Sequence, residues 1–218
     1  MQEVRIPSGT DELQAVLARP HAPRGLVLFA HGSGSGRHSP RNRQVAHQLQ
    51  QLGLATLLLD LLTLQEEAAD QRTAKHRFDI PMLTQRFEDA SAWAAAQPAL
   101  RDLPIGYFGA STGSAVALSA ASRQPGHVAA VVSRGGRPDL AGDAALQAVR
   151  APTLLIVGGE DGVVLDLNRS ALAQLRCERQ LEVIPGATHL FEEPGALEQV
   201  AELARTWLHN HLARPTPG

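Results

Sequence analysis

Short apolar runs punctuate the chain: Glu12–Leu17, Gly25–Ala30, Leu54–Leu59, Pro104–Gly109, Val128–Ser133, Thr153–Gly158 and Leu181–Ile184. Most are too short for helices and are bounded by Gly, Pro or Asp, so strand is the expected state. The later runs show little polar alternation, as strands covered on both faces should. Stretches of helical period lie between them. Gln44–Leu52 is amphipathic, and Pro81–Gln97 follows Asp79 as a cap and sets Leu83, Phe87, Ala90 and Ala94 on one face. Ser114–Arg123 is a helix of small residues, and Asn168–Leu175 follows an Asp-rich turn. Gly195–Leu212 aligns Leu197, Val200, Ala204, Trp207 and Leu208. Alternating strand and helix predict an α/β fold, a three-layer sandwich around a mostly parallel, doubly wound sheet. No repeat or linker interrupts residues 1–213, which read as one domain, and Arg214–Gly218 reads as a loose tail.

A length of 218 residues fits one core, and 44% hydrophobic with 19% charged residues excludes a disordered chain. The net charge of -2 supplies no bulk field for nucleic acid or an anionic membrane, so neither is an expected partner. Cys177 is the only cysteine, which rules out an intrachain disulfide. Met1–Ile6 contains Glu3 and Arg5 and lacks the apolar core of a signal peptide, and Leu52–Leu64 is broken by Asp60 and too short to span a bilayer. A cytoplasmic location follows as the expectation. Nothing in the sequence bears on oligomeric state.

In a parallel sheet, ligands bind beyond the carboxyl ends of the strands. Gly109-Ala110-Ser111-Thr112-Gly113 lies there, between the run ending at Phe108 and the helix from Ser114. The pattern Gly-x-Ser-x-Gly in a strand–turn–helix setting holds a serine exposed in a strained conformation, and the glycines let backbones crowd together. A tight turn that happens to contain serine would give the same pentapeptide; its placement favours a nucleophile. A serine hydroxyl needs a base, and the base needs an orienting acid. Asp161 ends Gly158-Gly159-Glu160-Asp161 just past a later strand, with Glu160 and Asp166 as rivals; His189 follows the last strand. Asp161 alone reads as a turn residue, and a loop histidine alone as solvated. Together, Ser111, Asp161 and His189 occur in the order Ser–Asp–His, each on the turn after a separate strand.

An oxyanion formed at Ser111 needs preplaced donors. The N–H of Thr112 is one. The second is expected from His31-Gly32-Ser33-Gly34-Ser35-Gly36, with Ser33 favoured and Gly34 second. The same segment invites a dinucleotide reading, but a third glycine would be needed at Arg37, and no Gly-x-x-x-x-Gly-Lys loop exists. Arg37, His38, Arg41 and Arg43 read either as a solvated helix start or as a receptor for a substrate carboxylate or phosphate, which Arg134 and Arg137 could join. His209 and His211 are the only close histidine pair and lack a carboxylate constellation, so no metal and no cofactor is expected.

The His31-Gly32 loop, the Ser111 elbow, Asp161 and His189 together resemble the α/β-hydrolase superfamily, in particular small lidless bacterial proteins grouped with dienelactone hydrolases. The resemblance implies esterase-type activity without a cofactor. Dienelactone hydrolases use cysteine as nucleophile, whereas Ser111 stands here and Cys177 lies in no elbow. Too few residues separate Arg134 from Arg150 for the helical cap of many relatives; the mixed charge of Glu66–Ile80 reads as a mobile surface loop, the one other candidate for a flap. The expected substrate is a small ester or thioester. An acyltransferase with the same triad, or a non-catalytic binding protein on the same scaffold, would share these residues.

Overall fold

The structure is a computed structural model that describes residues 1–212; the proposed tail Arg214–Gly218 lies outside the described residues. Eight strands form one sheet: β1 (Gln2–Ser8), β2 (Asp11–Ala18), β3 (Gly25–Ala30), β4 (Leu54–Leu59), β5 (Ile105–Ala110), β6 (Val128–Arg134), β7 (Thr153–Gly158) and β8 (Arg179–Ile184). Their spatial order is β1-β2-β4-β3-β5-β6-β7-β8, parallel from β4 through β8. β1 and β2 are added antiparallel at one edge. Seven helices flank the sheet: α1 (Pro40–Gln51), α2 (Leu64–Thr73), α3 (Ile80–Ala96), α4 (Thr112–Arg123), α5 (Asp143–Ala148), α6 (Gly162–Gln174) and α7 (Ala196–Leu212).

The continuous apolar strands are explained by two cores. Along β3, Leu26, Leu28 and Ala30 face a core built with Leu83 and Phe87 of α3 and Val116 of α4. Val27 and Phe29 face the opposite core, with Val45 and Leu49 of α1 and Val200, Ala204 and Leu208 of α7. A strand wetted on neither side can afford no polar residue on either, so the two-residue alternation disappears. This is the expected three-layer α/β sandwich, without a large cap.

The structure adds elements that the pattern alone did not assign. β1 is a hairpin strand whose Ile6 is buried while Arg5 and Pro7 face outward; Gly9, at φ 58, makes the tight turn to β2. α1 begins at Pro40, ahead of the amphipathic stretch from Gln44, since Ser39 caps the N–H of Asn42 and proline fits the first turn. Residues within Glu66–Ile80 are not simply a loop. Thr63 and Glu66 form a reciprocal cap that starts α2. The buried Asp70 then accepts from the N–H groups of His76 and Arg77 and pairs with the Arg77 guanidinium at 2.7 Å. Arg86 ties α2 to the sheet edge through Glu66 and Asp11.

Candidate active site

Ser111 sits between β5 and α4 at φ 50, ψ -122, a left-handed conformation rare for a residue with a side chain. Its N–H donates to Arg134 O at 3.1 Å, and its carbonyl accepts from the N–H groups of Ser114 and Arg137. The flanking glycines are required sterically. A Cβ on Gly113 would fall on the carbonyl oxygens of Ala30 and His31, and one on Gly109 would meet the backbone of Gly113 and Ser114. Below the turn, Ser133 Oγ donates to Ser114 Oγ, which donates to Gly109 O, each at 2.9 Å.

Three loops bring the sequence-predicted residues together. Asp161 occupies the position before α6 where an aspartate would ordinarily cap the helix, yet its side chain makes no cap bond. Its Oδ2 instead lies 2.6 Å from His189 Nδ1. His189 Nε2 lies 3.2 Å from Ser111 Oγ. An ionised carboxylate only accepts, so Nδ1 carries the proton and Nε2 is free to accept from the serine hydroxyl. Gly158 makes this approach feasible, because a Cβ there would collide with the carbonyls of Ala187 and Thr188. The rivals lie elsewhere: Asp166 pairs with Arg169 at the surface, and Glu160 is exposed.

The loop after β3 crosses in front of Ser111. His31 is buried and structural: Nδ1–H donates to Gly32 O at 2.8 Å, and Nε2 accepts from the Leu61 N–H at 2.9 Å. Burial pushes its pKa down, which keeps it neutral as that bonding requires. The Ser33 N–H points at the elbow and donates to Thr112 Oγ1 at 3.0 Å, and the two hydroxyls are 3.1 Å apart. The Thr112 side chain is a contact that the sequence reading missed; only the fold brings residues 33 and 112 together. A cavity of about 540 Å³ has Ser33, Gly34, His38 and Arg41 in its walls, and none of Ser111, Asp161 and His189.

The basic residues separate into distinct settings. Arg37 also borders the cavity, but its guanidinium is held by Asp60 and by Glu3, and its N–H donates to Asp60 Oδ1 at 2.6 Å. Arg137 is paired with Asp139. Arg134 is only 7% exposed and has no carboxylate partner; Nη2 donates to Asn42 Oδ1 at 3.3 Å, and the guanidinium lies over the Phe191 ring. Burial, with Arg41 nearby, pushes its pKa down to about 10. A second cavity, about 570 Å³, lies between α1 and the β1–β2–β4 edge, and none of Ser111, Asp161 and His189 lines it. Among the described residues no three His, Cys, Asp or Glu side chains cluster to hold a metal, and no helix is long and apolar enough to cross a membrane.

Known proteins share this arrangement of the chain. The crystal structure of a dienelactone hydrolase from Anabaena variabilis superposes with a TM-score of 0.94 at 55% identity, over 97% of this chain and 98% of that one. Est1E from Butyrivibrio proteoclasticus shares the fold at 16% identity, with a TM-score of 0.82 over 97% of this chain and 99% of that one. A Mycobacterium tuberculosis protein provisionally named a phosphoribosyl transferase is 56% identical over 216 residues. That match takes in 99% of this chain but 48% of the relative, so the chain spans about half the length of the curated relatives it matches. The family model for the alpha/beta hydrolase domain matches residues 23–207, and the chain belongs to the α/β-hydrolase family.

Proposed function

We propose that this protein hydrolyses a small carboxylic ester or thioester through an acyl-enzyme on Ser111. The observation that carries the reading is the hydrogen-bonded line Ser111 Oγ, His189 Nε2, His189 Nδ1, Asp161 Oδ2, with spacings of 3.2 and 2.6 Å. In the proposed mechanism Ser111 Oγ attacks the carbonyl carbon while His189 Nε2 takes its proton. Asp161 holds the ring in the Nδ1–H tautomer and stabilises the imidazolium. The oxyanion is received by the N–H groups of Thr112 and Ser33, the latter exchanging the Thr112 hydroxyl for the incoming oxygen; one such donor is worth roughly 3 kcal/mol in the transition state. His189 returns its proton to the departing alcohol or thiol, then activates water to release the acid.

The phosphoribosyl transferase name of the M. tuberculosis relatives belongs to proteins about twice as long, of which this chain matches 48%. A fluorophosphonate probe followed by peptide mass spectrometry tests the reading. An adduct on Ser111, with hydrolysis of p-nitrophenyl esters or acyl-thioesters that vanishes in Ser111→Ala, is the expected result. No adduct and no Ser111-dependent turnover would refute it.

A further inference from the structure

We infer that Arg41 and Arg134 form a receptor for an oxyanion carried by the substrate, a carboxylate or phosphate set apart from the scissile carbonyl. The inference rests on the hydrolase reading for its role in turnover, though not for binding itself.

The arginines differ in their partners. Arg37, Arg77, Arg86 and Arg137 are each held by carboxylates. Arg134 is the most enclosed case without one. Its Nε is buried with no hydrogen-bond partner, and Asn42 supplies a neutral oxygen to Nη2. Arg41 repeats the pattern: its Nε is likewise buried and unpartnered, and its one ion pair runs from Nη1 to the largely exposed Glu192 at 3.2 Å. Arg134 bonds to Asn42, the chain neighbour of Arg41, and the Arg41 charge bears on it, so an anion placed at Arg41 would offset positive charge that no buried carboxylate neutralises.

The surroundings point the same way. Arg41 and Asn42 lie in the first turn of α1, which contains no acidic residue, so the helix dipole adds to the positive potential. Arg41 lines the cavity of about 540 Å³ that also contains Ser33, the proposed oxyanion donor; Arg134 lies outside its walls, and the carboxylates of Asp60, held by Arg37, and Glu67 line it too. Arg41 is the contact residue in this arrangement; Arg134 adds its charge from behind, where little solvent screens it. Arg134 also supports the segment after His189 through the Phe191 ring, so the test must separate charge from packing.

Matched p-nitrophenyl esters of pentanoic acid, adipic acid (second carboxyl free) and 4-phosphonobutanoic acid make that separation. The two anionic esters are expected to exceed the neutral one in kcat/KM by about tenfold or more, the usual scale for a charge-assisted contact. Arg41→Gln and Arg134→Met, the latter keeping a long side chain against Phe191, are expected to bring the anionic-to-neutral ratio close to one. Arg150→Gln, an exposed site elsewhere, leaves it unchanged. A ratio is read because it survives a general loss of activity. Near-equal rates for all three esters in the wild-type protein, or a preference that persists in both variants, would overturn the inference. Binding is read separately from thermal shifts of Ser111→Ala with adipate and with inorganic phosphate, which tells the two anion sources apart. A shift that disappears on adding Arg41→Gln upholds the receptor even if no ester is cleaved, whereas failure to cleave any ester or to label Ser111 counts against the hydrolase reading alone.

Discussion

The elbow around Ser111 and the segment around α2 border the same loop after β3, yet they are held by opposite means. The elbow is a steric construction: glycine backbones at 109 and 113 pack directly on neighbouring carbonyls, and short hydroxyl bonds fasten the turn from below. The α2 segment is an electrostatic one, tied by Arg86 to Glu66 and Asp11 and by Asp70 to Arg77. Backbone packing tolerates no added atom and has no pH dependence of its own. Ion pairs tolerate neighbouring substitutions but answer to protonation. A site that needs 3 Å geometry is thus built on the first kind, and its border on the second.

Substitutions that strike each kind of tie sharpen this contrast. The largest effect is expected at the proposed triad: Ser111→Ala should lower kcat by about 10⁶-fold, and Asp161→Asn by about 10⁴-fold because the tautomer is lost while the geometry remains. Steady-state rates on a p-nitrophenyl ester measure both. Next, Gly113→Ala forces a methyl onto the backbone of Ala30 and His31, which should cost about 3 kcal/mol and lower Tm by roughly 6–12 °C in a chain of this size. If Tm held, the steric account of the elbow would be wrong. Asp70→Asn should act locally instead, speeding amide hydrogen exchange in residues 64–79 while leaving that of β5 and α4 unchanged.

The smallest expected effect is on acidification. Burial raises the Glu66 pKa, but hydrogen bonds from Arg86 and Thr63 outweigh it and bring it to about 2, below its ordinary 4.5. A depressed carboxyl contributes its full stability above pH 4.5 and loses it as pH falls toward 2. Asp70 is shifted in the same direction: burial opposes ionisation, and the N–H groups of His76 and Arg77 with the Arg77 guanidinium prevail. Urea unfolding of wild type and Glu66→Gln at pH 6 and pH 3 should show the difference between them shrinking at the lower pH. A constant difference would show that the pair contributes packing and not charge.

The same division explains what could be read from the chain alone. The elbow was legible because its demands are local: glycine two residues either side of a serine, between a strand and a helix. Asp161 and His189 were legible because each follows a strand of the same sheet and the order of elements fixes which end they share. α2 was not legible, since its stabilising partners, Asp11 and Arg86, lie far away in sequence and its own residues carry little apolar periodicity. Nor could the sequence separate Arg37 from Arg134. Both are arginines near strand ends, and only the folded chain sets Asp60 against one and leaves the other without a counter-ion. β1 escaped for a related reason: its single buried face acquires meaning only beside β2.

The backbone at residue 111 carries a further consequence. A side chain at φ 50, ψ -122 raises the energy of the native state by about 1–3 kcal/mol, and the bonds to the Arg134 carbonyl and from the N–H groups of Ser114 and Arg137 hold it in that state. Glycine would relieve that tension. Ser111→Gly is therefore expected to melt at a higher temperature than the wild-type protein while being inert. Durability and the proposed reactivity pull against each other at this one position, and a chain selected for heat resistance alone would discard its serine.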